Sequence, residues 1–263
     1  MRRETFETPG PLELNVRIPA GDIDLETVEG SETIVEISAN PEIEEEARIE
    51  LHPKRDGHEV SVVIEKKSGL FRSFREDVRV RISAPPGADV EVSTASADVE
   101  ARGDFGAAKV NTASGDVRLE HLGGGAQVNS ASGDVSLDQV DGALTVNTAS
   151  GDVEIRRLQG EGKVRAASGD VSIDEAESSL KVQTASGDVE VESVREGEVT
   201  LQTASGDIEV GIKQGSKLWI DAKSMSGETS SELELGDAPT DGEGPLVEVR
   251  ATAMSGDIKV KRA

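Results

Sequence analysis

An aspartate returns at nearly constant intervals along the chain: Asp98, Asp116, Asp134, Asp152, Asp170, Asp188 and Asp207, spaced by 18, 18, 18, 18, 18 and 19 residues. A row of carboxylates can hold divalent cations. It can supply the acid and base that flank a glycosidic bond. It can also accept backbone N–H groups in its own turns, as Asx-type corners do. Calcium asks for six to eight oxygens, and each repeat offers one carboxylate, so the corner role is the stronger explanation. If the repeats stack at about 4.8 Å, neighbouring charges repel by about 3–4 kcal/mol at an effective dielectric near 20. In water the cost is under about 1 kcal/mol. The carboxylates are therefore expected to splay into solvent while bonding the backbone. No metal and no cofactor is expected.

Other residues with chemical potential are few. His52, His58 and His121 are the only histidines, and none sits in a partner motif. The Ser-Gly pairs lack the flanking glycine of a nucleophile elbow. With no Cys, disulfides, thiolate metal sites and cysteine catalysis are excluded. The expectation is a protein that is not an enzyme. One cluster has the composition of an interface anchor: Phe71, Arg72, Phe74 and Arg75, inside Leu70-Phe-Arg-Ser-Phe-Arg75. The alternative is that both Phe fold back to cap the end of the core.

The elements that must position these residues follow from the repeat. The unit reads Leu-x-Val-x-Thr-Ala-Ser-Gly-Asp-Val-x-Leu-x-x-Val. In the copy around Asp152, Leu144, Val146 and Thr148 share one face, and Val153 and Ile155 share one face beyond the corner. Leu158 closes the rung. This period of two is that of strands, and no helical period survives. Copies align into aliphatic columns such as Val110, Val128, Val146, Val164, Val182 and Leu201. One unit cannot bury its face alone, whereas stacked units share a core. The fold class is therefore all-β, a single-stranded parallel β-helix of about 18 residues per coil, with right-handed winding expected by analogy with β crossovers. The corner ladder comprises Gly115-Asp116, Gly133-Asp134, Gly151-Asp152, Gly169-Asp170, Gly187-Asp188 and Gly206-Asp207, with Ala97 in the glycine place of the first copy. The Thr column before the corner points inward by parity, which argues against an ice-binding face. Outward Asn111, Asn129 and Asn147 read as a side-chain amide ladder.

The chain is read as one domain, 1–263. Residues 1–90 form irregular coils with a strand excursion, 91–212 the regular repeats, and 213–263 C-terminal coils with an acidic loop at Gly236 to Pro245. Gly21-Asp22-Ile23 resembles a degenerate corner. Asp56-Gly57 signals a hairpin within the excursion. The tail Lys259-Val-Lys261-Arg262 places a dense basic run at one end of an acidic rod, where it blocks stacking or pairs with an acidic end.

The run Val-x-Thr-Ala-Ser-Gly-Asp-Val has Ala-Pro-Pro-Gly-Ala at 84–88 before it and Met-Ser-Gly-Asp-Ile-Lys-Val at 254–260 after it. Together these resemble a bacterial family of adhesin-like β-strand-repeat domains of unknown function, of the domain-of-unknown-function 4097 type. The resemblance covers most of the chain and is densest from Val78 to Ala263. It implies a β-helical domain with no established enzyme activity, adhesin-like by resemblance only.

Composition bounds the partners. There are 52 Asp and Glu against 28 Lys and Arg, a formal charge of −24, with 2% aromatic residues. Nucleic acid needs clustered cations, and anionic lipid repels such a surface. Scarce aromatics leave few rings to line a pocket. No stretch approaches the roughly 20 apolar residues of a membrane span, and no apolar segment follows Met1-Arg2-Arg3, so a cytoplasmic location is expected. The expected role is a non-catalytic binding or scaffold module, for an unknown protein partner or for self-association. The alternatives are a self-assembling structural protein and, more remotely, a carbohydrate-active enzyme.

Overall fold

The computed structural model describes residues 1–65, 78–232 and 244–263. They are almost wholly β, with one six-residue helix among them. The Phe71, Arg72, Phe74 and Arg75 cluster and most of the acidic loop lie outside the described residues. The chain divides into two compact units, Met1–Gly133 and Asp134–Ala263.

The first unit contains β1 (Arg2–Glu7), β2 (Leu12–Thr27), β3 (Glu32–Ser38), α1 (Pro41–Glu46), β4 (Arg48–Lys54), β5 (Gly57–Val63), β6 (Arg79–Ala84), β7 (Asp89–Phe105), β8 (Ala108–Ser114), β9 (Val117–Leu122) and β10 (Ala126–Ser132). β7 runs through a corner, so its first half pairs with β8 and its second with β9, both parallel. β8 pairs in turn with β10. β2 makes the same corner and lies parallel on β7, with Leu14 opposite Val90 and Asp22 opposite Asp98. Its two halves carry β5 and β6. Beyond that layer the pairing becomes antiparallel: β4 on β5, β3 on β6, and β1 on β3. The excursion is thus a hairpin, with Lys54 opposite Gly57 across Arg55-Asp56. α1 is short and capped by Asn40, whose side chain accepts the Ile43 N–H at 2.9 Å.

The second unit contains β11 (Val135–Val140), β12 (Leu144–Ser150), β13 (Val153–Leu158), β14 (Gly162–Ser168), β15 (Val171–Ala176), β16 (Leu180–Ser186), β17 (Val189–Val194), β18 (Gly197–Ser205), β19 (Ile208–Ile212), β20 (Lys217–Ser224), β21 (Thr229–Ser231), β22 (Leu246–Ser255) and β23 (Ile258–Arg262). Among the described residues, the strands of this unit pair with one another in parallel. One wall stacks β12, β14, β16, β18, β22 and β20 in that order. The other stacks β11, β13, β15, β17, β19, β23 and β21. The third, looser side is also tied between coils, for example by the Glu177 N–H donating to the Leu158 carbonyl at 2.8 Å.

The architecture is that of a parallel β-helix. Val146, Val164, Val182, Leu201 and Ala251 stand in register and are fully buried. Each fully buried Val or Leu contributes about 1.5–3 kcal/mol relative to exposure. Because strands stack directly, a column shares one dry channel, and no single repeat has to supply a whole core.

One feature of the stack departs from sequence order. The last coil in the chain, β22 with β23, inserts between the coil of β18 and β19 and the coil of β20 and β21. The basic tail expected at an end is therefore flanked on both sides, by β19 and β21. Lys261 bonds Glu209 at 2.5 Å, and Lys259 bonds Glu232 at 3.1 Å.

Candidate functional site

The corner aspartates sit where the chain turns between the two walls. In the first unit the Asp116 N–H donates to Asp98 Oδ1 at 2.9 Å. In the second unit the same bond runs from Asp152 to Asp134, Asp170 to Asp152, Asp188 to Asp170 and Asp207 to Asp188, at 2.7–2.9 Å. It continues from Asp257 to Asp207 and from Glu228 to Asp257, both at 2.7 Å. The acceptor thus serves the next coil rather than its own turn, which differs from the Asx-corner expectation. The reason is geometric: parallel stacking in register brings the next coil's Asp N–H within reach of the carboxylate. A hydrogen bond to a charged acceptor is worth about 1.5–3 kcal/mol, enough to offset a screened carboxylate repulsion at an exposed corner.

Glycine precedes each of these aspartates except Asp98, for a steric reason. Gly187 has φ of 139°, and a Cβ on it would lie 2.1 Å from the Gly169 carbonyl oxygen. Inside the corner, the Thr148 hydroxyl donates to the Ser150 carbonyl at 3.0 Å, and Ser130 makes the equivalent bond at 3.1 Å. The hydroxyl is a second donor to a carbonyl that also accepts from the neighbouring coil, as Ser132 does from the Gly115 N–H at 3.3 Å. On the outer face Asn129 donates to Asn111 at 2.9 Å, and Gln183 to Gln202 at 2.7 Å.

The two walls of the second unit differ in charge. Outward positions on β12, β14 and β16 carry Lys163, Arg165 and Lys181 and no acid. Lys163 and Lys181 stand side by side in register, and neither has a carboxylate partner among the described residues. β11, β13, β15 and β17 carry Asp138, Glu154, Asp174, Glu175, Glu190 and Glu192 against Arg156 and Arg157. Arg157 bonds Glu175 at 3.0 Å, and Arg156 lies 3.5 Å from Asp138. Further along that wall, the hydrogen bond from Lys261 holds the Glu209 carboxyl below the usual carboxylate range. The same bond raises Lys261.

The first unit has a cleft of about 460 Å³ at the β4–β5 hairpin, lined by Pro11, Leu12, Glu13, Lys54, Arg55, Asp56, Gly57, His58 and Asp89. Lys54 bridges Glu13 and Glu59, the latter at 3.0 Å. Hydrogen bonds to these two carboxylates raise its pKa. A lysine base or nucleophile needs the opposite shift. His58 Nδ1 is shielded from solvent and has no hydrogen-bond partner. His121 pairs with Asp104 at 2.6 Å, and His52 lies 3.2 Å from Glu50. Among the described residues no three His, Asp or Glu side chains converge as a metal site would require. No helix among them is long and apolar enough to cross a membrane.

Two groups escaped sequence reasoning. The Lys54 bridge joins residues 41 positions apart, which only the fold reveals. Trp219, the single Trp, is 46% exposed on β20, with the Arg250 guanidinium 5.5 Å from its ring centre. The signal for it was the run Leu218-Trp219-Ile220 in a chain poor in aromatics.

Among solved structures, a candidate adhesin from Parabacteroides distasonis ATCC 8503 aligns over 98% of this chain and 96% of its own, at 11% identity and a TM-score of 0.48. A candidate lipid-binding protein from the same organism aligns over the same shares at 14% identity and 0.48. A candidate cell adhesion protein from Clostridium sporogenes ATCC 15579 aligns over 100% and 99%, at 13% identity and 0.30. Likenesses of this degree assign no function. No functionally curated protein matches the sequence. A family model described as Toastrack DUF4097 matches residues 13–261, which takes in every strand after β1 and all the corners, and the chain belongs to that family of domains of unknown function.

Proposed function

We propose that the protein is a non-catalytic binding module that presents a rigid, flat polar wall to an anionic partner. The observation that carries this reading is the cationic wall of β12, β14 and β16. In a chain of charge −24, Lys163, Arg165 and Lys181 stand free of acids among rows of side-chain amides. Backbone stacking holds that array rigid, so little order is lost on binding. The chemistry it fits is a polymer that carries carboxylate or sulfate groups and many hydroxyls. The non-catalytic part of the reading rests on the cleft, whose lysine is held protonated by two carboxylates. An adhesive use of the wall, in keeping with the names of the structural neighbours, belongs to the same proposal.

The test is retention on immobilised carboxymethyl dextran compared with neutral dextran. The wild type is expected to bind the anionic matrix, despite its net charge. Lys163→Gln, Arg165→Gln and Lys181→Gln together should abolish retention without lowering the melting temperature. Equal behaviour on both matrices would overturn the proposal. A second reading, structural self-assembly, is favoured by one specific observation, the open edge of β20.

A further inference from the structure

β20 pairs with β22, and no described strand pairs with its other edge. Lys217 N–H donates to the Pro245 carbonyl at 2.8 Å, and Met225 N–H to the Ala253 carbonyl at 3.1 Å. Alternate residues of a parallel strand direct their N–H and C=O to the same neighbour. The intervening residues, Leu218 and Ile220, therefore direct theirs outward. Such an edge is a template to which another extended backbone can add. Leu218 and Ile220 also stand in register with the fully buried Val247 and Val249, yet are themselves only part-buried. No described residue fully covers the core at this edge.

The sequence of the edge names the occupant. Lys217-Leu-Trp-Ile-Asp221 is complementary to its own reversal. Laid antiparallel about Trp219, Lys217 faces Asp221 of a second copy, and Asp221 faces the second Lys217. Leu218 faces Ile220, and Trp219 faces Trp219. Opposed residues in an antiparallel pair share a face, so the apolar pair covers the core while the ions and rings stay on the wall. Moving the centre to Ile220 sets Lys217 against Lys223, and moving it to position 221 sets Asp221 against itself, both of which like-charge repulsion disfavours. Lys217 has no ion partner among the described residues, while Asp221 pairs with Lys223 on its own strand at 2.8 Å, an exposed pair that the second copy's Lys217 would share. Leu218 and Ile220 would exchange both their hydrogen bonds with the second copy. Trp219 would fall at the non-hydrogen-bonded position, where Cα atoms approach to about 4.5 Å and side chains are closest.

The geometry points to a two-fold dimer of this chain through β20, with Trp219 on the axis. The interface is isologous and closed, so it ends at two copies rather than growing a filament. It is separate from the cationic wall of β12, β14 and β16 and does not depend on it.

Sedimentation equilibrium with charge-swap variants tests the pairing. Lys217→Asp and Asp221→Lys alone each turn two attractive contacts into two repulsive ones and should weaken the dimer roughly tenfold. The double substitution should restore it. All three should keep the melting temperature of the monomer, since both side chains are on the surface. Register is read by cross-linking, because the chain has no Cys. Trp219→Cys should form a disulfide dimer on mild oxidation, since about 4.5 Å lies within the Cα range of a disulfide. Lys223→Cys should not. A wild type that stays monomeric at every concentration would overturn the proposal, as would failure of the double variant to restore association, or cross-linking through position 223 in preference to 219.

Discussion

The interior coils of the second unit and its edge coil are built to one pattern and end in different states. In the coil of β13 and β14, Val153, Ile155, Leu158 and Val164 are at most 1% exposed, and strands lie on both sides. In the coil of β20 and β21, Leu218, Ile220 and Ala222 occupy the same inward column but remain part-buried, and Trp219 and Met225 are exposed. The corner ladder continues into this coil, where the Glu228 N–H finds Asp257. The difference lies in the second neighbour that β20 lacks among the described strands, not in the repeat. The antiparallel strands of the first unit show what a guarded edge looks like. β4 pairs with β5 and carries Pro53 among Arg48, Glu50, His52 and Lys54. Proline and alternating charge discourage strand addition. β20 has no such guard over Leu218-Trp219-Ile220.

The largest effect that can sharpen this comparison is in the core. Ile155→Ala should cost about 2–5 kcal/mol in urea unfolding, the range for a fully buried isoleucine. Ile220→Ala in the monomer should cost clearly less, because its site is part-wet and can collapse. Equal costs would mean that the edge coil is covered.

The ladder gives a middle-sized contrast. Asp170→Ala leaves the Asp188 N–H without its acceptor and should cost about 1–3 kcal/mol. Asp170→Asn keeps an acceptor oxygen, sheds one charge and should be close to neutral. Asp257→Ala, which strands only the Glu228 N–H of the edge coil, should cost less than Asp170→Ala. If Asn were as harmful as Ala, charge rather than acceptance would be the role of the aspartate.

The smallest effect is electrostatic. Glu209 is depressed in the folded state by Lys261, so its contribution is present above the ordinary carboxylate pKa and is lost as pH falls through the folded value. Lys261 is raised by Glu209, so its contribution is present below the ordinary amine pKa and is lost as pH rises through the folded value. Lys261→Gln should therefore lower the melting temperature slightly between those limits, by an amount fitting the under about 1 kcal/mol of an exposed pair. The difference from wild type should vanish in acid and in strong base. A difference that persists into acid would assign Lys261 a packing role.

Much of the fold was legible because a parallel stack repeats one set of constraints. The period placed Val164 over Val146, and the glycine before the corner aspartates from Asp116 onward marked a backbone approach that a Cβ would block. The order of the last coils was not legible. Leu218 and Ile220 fit the inward column as well as Val247 and Val249 do, so the pattern cannot rank which pair lies against Gly197 and Val199. The acceptor of the ladder was also hidden, because an aspartate at a corner can reach its own turn or the next coil's N–H. Lys54 depends on Glu13 and Glu59 meeting across the fold, and no local spacing records that. The charge contrast between the walls was present in the sequence, but it emerges only once β14 and β16 are sorted from β13 and β15.

Amide hydrogen exchange along β20, residue by residue, tests the open edge most directly. In Lys217→Asp, held monomeric, the account predicts slow exchange at Trp219 and Asp221, which face β22, and fast exchange at Leu218 and Ile220. In the wild type at concentrations that favour association, Leu218 and Ile220 should become slow. Uniform protection along β20 in the monomeric variant, or fast exchange at Leu218 and Ile220 in the wild type at every concentration, would contradict it.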